Sequence, residues 1–90
     1  MRNYQDKEYK LWRKTIYQRD SHTCQWPGCT YNGRYINAHH IKKWSDYPGL
    51  RFNPLNGITL CKNHHSMIKG METDYESFFL KIVAQKNAIR

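Results

Sequence analysis

The sequence predicts a small α+β domain in which a central strand, loop, strand and helix are flanked by an N-terminal and a C-terminal helix, with a metal staple standing in for a large core. Three observations lead there. Apolar residues recur at helical spacing near both ends, two short apolar runs in the middle read as strands, and Cys and His residues stand at ligand spacing around them. A single domain over residues 1–90 is expected, with an N-terminal helix within 1–20, a knuckle and central unit over 21–70 and a C-terminal helix within 71–90.

Residues 6–19 contain neither Gly nor Pro and repeat Tyr9, Trp12 and Ile16 at helical intervals, so an amphipathic helix is expected. Residues 21–34 carry Pro27, Gly28 and Gly33 between and after two cysteines, the mark of an irregular knuckle. Residues 35–41 are short and apolar-rich and run as a strand into the paired His39 and His40. Residues 42–54 hold Pro48, Gly49 and Pro54 without any sustained period and form a long surface loop, a kind of segment that is usually functional when ordered. Residues 57–60 are the second strand, and the stretch from Lys62 is helical until Gly70 stops it. A last helix begins after Thr73, an N-cap with Glu76 three residues on, and turns Phe79, Ile82 and Val83 to the core.

A chain of 90 residues buries only about 60 to 65% of the surface its unfolded form exposes. With 39% hydrophobic and 14% aromatic residues, compactness must come from a few large rings and something stronger than apolar burial. Fifteen Lys and Arg against seven Asp and Glu give a formal charge of +8, which points to a polyanionic partner, nucleic acid first. The competing reading of that charge is solubility alone. No apolar run is long enough to span a bilayer and none follows the basic start as a signal peptide requires, so a soluble, cytoplasmic protein that leaves membranes alone is expected. Three cysteines are an odd number for disulfides, and in a reducing cytosol thiolate coordination of metal is the more economical use of them.

Cys24 and Cys29 form C-x4-C in the knuckle, and Cys61 and His64 form C-x2-H where the second strand meets its helix. Structural zinc takes a closed tetrahedron of Cys and His, usually delivered as two short-spaced pairs from distant parts of a chain. The long interval between the pairs lets such an ion clamp the knuckle to the helix start. The plainer alternative makes the cysteines small buried hydrophobes and His64 a surface histidine.

Ala38-His39-His40-Ile41, then Asn56, then Leu60-Cys61-Lys62-Asn63-His64-His65 resembles the HNH endonuclease signature, in which a His, an Asn and a second His sit on a strand-loop-strand-helix unit, the ββα-metal or His-Me finger. Arg19-Asp20 and Cys24-Gln25-Trp26-Pro27-Gly28-Cys29 resemble the lead-in of stand-alone HNH proteins of phages and prophages, some encoded beside DNA-packaging genes. The resemblance spans residues 12–69. It implies a metal-dependent endonuclease acting on DNA by nicking or double-strand cleavage, as a monomer or homodimer. For a phage-encoded protein it also implies the host cytoplasm and partnership with the terminase.

Phosphodiester hydrolysis needs a nucleophilic water, a base for its proton, and positive charge where negative charge develops. His40 is the candidate base, because neutral imidazole, with an ordinary pKa near 6.5, accepts a proton at physiological pH; the resemblance implies that a backbone carbonyl holds its far nitrogen. The resemblance also assigns His39 and His65 to a catalytic divalent ion and Asn56 to fixing the loop that follows the base. Asn56-Gly57 is equally a common turn dipeptide. Adjacent helical residues point about 100° apart, so His64 can face the zinc while His65 faces the cleft. Neighbours on a strand point to opposite faces, so the strand must end or distort if His39 and His40 line one cleft.

Many relatives carry Asp in place of His39, and this more nitrogen-rich site shifts preference from Mg2+ toward Mn2+, Ni2+, Co2+ or Zn2+. Some carry a further ligand His one helical turn after His65, where this chain has Lys69, which cannot ligate while charged. Lys42, Lys43, Arg51, Lys62 and Lys69 surround the cleft in sequence, with Trp44, Tyr47 and Phe52 interleaved, and are the candidate phosphate contacts. For each of them the alternative is a solvated face or the core. Arg51 carries a further expectation, transition-state charge stabilisation. The competing functions are a catalytically silent zinc module that binds DNA or a packaging complex, and an RNA nuclease. Loss of His39, His40, Asn56 or His65 would mark the silent module, and all four are present.

Overall fold

The computed structural model describes residues 5–88. Helix α1 (Lys7–Arg19) starts where Asp6 caps it, the Asp6 side chain accepting from the Glu8 amide at 2.7 Å, and buries Tyr9, Trp12 and Ile16 as the spacing predicts. An irregular segment follows and delivers strand β1 (Ile36–His40), which pairs antiparallel with β2 (Gly57–Cys61) in the register Ile36 to Cys61 through His40 to Gly57. Helix α2 (Lys62–Met67) continues directly from β2 and ends three residues before Gly70, whose φ of +87° turns the chain back. Helix α3 (Glu76–Ala88) closes the described chain. The first four and last two residues of the expected terminal helical regions lie outside the described residues.

The 42–54 segment is a loop as expected, ordered by 3-10 turns at Pro48–Leu50 and Pro54–Asn56, each opened by the proline that fixes φ for it. One expectation is corrected. Thr73 does not cap α3. It lies inside a 3-10 turn, Glu72–Tyr75, that runs into the helix, and its carbonyl accepts from the Glu76 amide.

The sheet has two strands among the described residues and is covered on both faces. Cross-strand partners share a face, so Ile58 and Leu60 pack with Ile41, Ile68, Phe79 and Val83 between the sheet, α2 and α3. On the other side Trp12 and Ile16 of α1 meet Ala38, Trp44 and Phe52. Gly57 is required by this second contact, because a Cβ there would run into the side chains of Ile16 and Trp12. The outer edge of β2 is occupied too: the Thr59 amide donates to buried Asp20 at 3.0 Å, and its carbonyl accepts from the Gln25 amide at 2.9 Å. The outer edge of β1 is therefore the side left for a cleft. No helix among the described residues is long and apolar enough to cross a membrane.

Candidate active site and metal cage

The knuckle brings Cys24 and Cys29 to the β2–α2 junction, where Cys61 ends the strand and His64 lies in the first turn of the helix. The four donor atoms lie within 4.8 Å of one another. His64 Nδ1 is 3.2 Å from Cys61 Sγ and 3.6 Å from Cys24 Sγ. A tetrahedral zinc ion with ordinary bond lengths spaces sulfur from nitrogen by about 3.6 Å and two sulfurs by about 3.8 Å. The Cys3His set thus fits a structural metal such as zinc. Trp26 stacks on His64 at 4.9 Å between ring centroids and 7° between planes, which fixes the ligand ring from outside. Burial pushes the Cys24 thiol up to about 11, so a cation is what would hold it as thiolate. Burial also acts to raise the Cys61 thiol, but the amides of His64 and Asn63 and the neighbouring thiols outweigh it and draw that group down.

A cleft of about 750 Å³ runs along the outer edge of β1, walled by α1, the start of the 42–54 loop, α2 and the Glu72 turn. His39, His40 and His65 all line it, as do Lys43 and Lys69. Of the two expected alternatives the strand ends rather than distorts: His39 and His40 are both paired with β2, and His40 is the last residue of the strand. They reach one cleft from opposite faces because the cleft follows the strand's edge.

His40 shares its face with Gly57, and the space a side chain would take there lets α1 close in. Its ring stacks on Trp12 at 3.9 Å and 9°. His40 Nε2 lies 2.9 Å from the Arg51 carbonyl. A carbonyl only accepts, so Nε2 carries the proton and Nδ1 is the basic nitrogen. The loop that supplies this carbonyl is held by Asn56, whose Oδ1 accepts from the Lys42 amide at 2.8 Å and whose Nδ2 donates to the Lys42 and Leu50 carbonyls at 3.2 and 3.3 Å. Asn56-Gly57 closes the 3-10 turn, the Gly57 amide donating to the Pro54 carbonyl, but that turn is not the whole role of Asn56. Asn56 is 3% exposed, and Gly57 has an extended backbone at φ −137°.

His39 is buried against Phe79, and its Nε2 has no hydrogen-bond partner among the described residues. Its ring centroid is 5.4 Å from that of His65. Two imidazoles on one ion have centroids roughly 4.5 to 5.5 Å apart at ordinary metal–nitrogen lengths, so the pair fits a shared ion. Burial, then the His65 and His40 rings, pull His39 down to about 4 against the charge of Glu72. Burial and Lys69 lower His65, with Glu72 again opposing. Both rings are consequently neutral near pH 7, the form in which imidazole binds metal.

The remaining predicted contacts divide. Lys43 and Lys69 line the cleft, whereas Lys42, Arg51 and Lys62 do not. Lys42 pairs with Glu76 at 3.3 Å, and Arg51 donates to the Trp44 carbonyl at 2.7 Å with its guanidinium over the Trp44 ring. Arg51 therefore serves His40 through its carbonyl, and its side chain braces the loop. Tyr9, Arg13 and Tyr17 of α1 and Glu72 also wall the cleft and escaped the sequence reading. Tyr9 belongs to the apolar stripe of α1, and Arg13 and Tyr17 follow it at intervals of four and were findable on that ground; Glu72 follows a glycine turn that leaves no periodic signal.

Strand, loop, strand and helix around paired histidines and a Cys3His cage make a ββα-metal finger. The sequence profile of the HNH endonucleases matches residues 19–69. That is more than half of the chain, and the chain belongs to the HNH endonuclease family. No curated protein and no solved structure matches it significantly.

Proposed function

We propose that the protein is a metal-dependent endonuclease that hydrolyses DNA phosphodiester bonds with His40 as general base. The supporting observation is the orientation of His40: the Arg51 carbonyl holds the Nε2 proton at 2.9 Å and so directs the lone pair to Nδ1, in a cleft shared with the neutral His39 and His65. Nδ1 takes the proton of a water as its oxygen attacks phosphorus, and the bond from phosphorus to the leaving oxygen breaks. The imidazolium formed is stabilised by the Arg51 carbonyl and by the face of Trp12 beneath it. His39 and His65 would hold a divalent ion, which supplies Lewis-acid charge to the phosphate when bound. Arg13, Lys43 and Lys69 supply positive charge for the flanking phosphates.

The test is supercoiled plasmid incubated with Mn2+ and either wild type or His40→Ala. Wild type is expected to nick or linearise the plasmid, with the variant slower by about 10²- to 10⁴-fold, the usual contribution of a general base. Equal cleavage by both would remove His40 from the chemistry, and no cleavage by either would favour the silent zinc module. A parallel RNA substrate distinguishes the polymer.

A further inference from the structure

We propose that Trp12 is a positioning residue of the hydrolytic reaction, fixing the plane of the His40 ring so that Nδ1 keeps one direction in the cleft. The inference rests on the nuclease reading for what His40 does, and it adds a residue that lies before the stretch 19–69 matched by the family profile. The need arises from the histidine itself. Rotation of a histidine ring about its bond to Cβ is a soft torsion with broad minima, and a hydrogen bond at Nε2 keeps most of its strength over a wide range of angles. The Arg51 carbonyl at 2.9 Å therefore decides which nitrogen carries the proton and leaves the plane of the ring loosely set. A general base needs more, because its lone pair must aim at the attacking water, and a misplacement of about 1 Å can cost roughly 100-fold in rate.

Trp12 supplies the missing constraint. Its indole lies face to face with the imidazole, 3.9 Å between centroids and 9° between planes, so that turning the imidazole drives its edge into the indole. The indole is itself held. Trp12 is 2% exposed, and its Nε1 donates to the Asn53 carbonyl at 2.9 Å. The two stacked rings thus donate to carbonyls two residues apart on one short stretch of backbone, His40 to Arg51 and Trp12 to Asn53. A shift of that stretch carries both rings together and keeps their stack. Trp44 meets the imidazole edge-on at 5.3 Å and 82°, which closes a second side. Tryptophan at position 12 offers a flat face to the base and a ring N–H to the loop; an aliphatic residue would fill part of the volume and offer neither. Helix α1 accordingly belongs to the catalytic unit as well as to the core.

The experiment compares wild type with Trp12→Phe and Trp12→Leu, all zinc-loaded, in two measurements. In proton–carbon nuclear magnetic resonance of the neutral imidazoles, with His40→Ala to assign the signals, the His40 ring hydrogens are expected upfield of the ordinary range in wild type and Trp12→Phe, where they lie over an aromatic face, and within that range in Trp12→Leu. In Mn2+-dependent cleavage of a DNA duplex, Trp12→Leu is expected to lower kcat by at least about tenfold with KM near the wild-type value, and Trp12→Phe to recover most of that rate. A merely structural role would lower the melting temperature of both variants and leave kcat of the folded protein unchanged. Folded Trp12→Leu with wild-type kcat overturns the positioning role alone. Ordinary shifts for His40 in wild type overturn it too, and that measurement needs no variant to fold. A wild type that shows the upfield signals and leaves DNA intact overturns the nuclease reading and, with it, the role of Trp12.

Discussion

At the scale of single residues the site is organised by carbonyls and one amide side chain. Asn56 spends both ends of its amide on the 42–51 backbone, and Arg51 in that backbone holds the His40 proton. Asn56→Asp keeps the shape but replaces a donor facing two carbonyls with a third acceptor. It is expected to cost about 1–3 kcal/mol of stability, the usual penalty for a buried group left unpaired, and to slow cleavage more than it weakens DNA binding, as denaturant titration and separate rate and binding measurements would show. An unchanged rate would break the link from Asn56 through Arg51 to the base. His39 makes a second prediction. Its folded pKa of about 4 lies below the ordinary 6.5, so the unfolded chain takes up a proton as pH falls below 6.5 while the folded chain refuses it. Stability from this group is complete above pH 6.5 and lost as pH falls toward 4, in total by roughly 3 kcal/mol. Urea titrations at pH 7 and pH 5 without added divalent ions beyond the structural zinc should show a smaller loss for His39→Gln than for wild type. Parallel losses would contradict the buried, neutral state of this ring.

At the scale of elements the finger is held by what crosses its edges. Asp20, 1% exposed, accepts from Arg19 Nε at 2.9 Å and from the Thr59 amide at 3.0 Å, while Arg19 also donates to the Pro54 and Gly57 carbonyls. One pair thus ties the end of α1 to β2 and to the turn that carries Asn56. Asp20→Asn removes the buried carboxylate that pairs with the partly buried Arg19 and can set an NH2 against the Thr59 amide, so a loss of about 1–3 kcal/mol is expected, the usual penalty for a buried group left unpaired. A thermal melt within a degree or two of wild type would show that the clamp is dispensable. The helices and strands were legible because Tyr9, Trp12 and Ile16, or Phe79 and Val83, carry their period in the sequence. The cage was legible because Cys24, Cys29, Cys61 and His64 belong to short pairs. What was not legible depends on tertiary approach: the closeness of α1 to Gly57 that stacks Trp12 on His40, the use of Arg51 for its carbonyl, and the return of Glu72 past Gly70. In each case the residue type states one chemistry and its neighbours in space select another.

At the scale of the whole molecule, the cage sits where separate loads meet. Cys24 and Cys61 are themselves members of the larger core cluster, so the ion's ligands and the apolar packing of Ile58, Leu60, Phe79 and Val83 share residues. His64 and His65 are adjacent on a helix of six residues, Lys62–Met67, too short to hold itself in water. The direction of His65 into the cleft is therefore set by whatever fixes His64. Removing zinc leaves Cys24 as a buried neutral thiol, frees the knuckle from α2, and lets the second cleft histidine turn with the helix. Treatment with a strong chelator is expected to abolish the fixed environment of Trp26, which stacks on His64, and to unfold the chain in one transition followed by Trp fluorescence and far-ultraviolet circular dichroism. Cleavage should be lost with the fold and return on adding zinc before Mn2+, not on adding Mn2+ alone. A zinc-free protein that kept its Trp signal and its DNA cleavage with Mn2+ would show that the apolar clusters alone position the cleft.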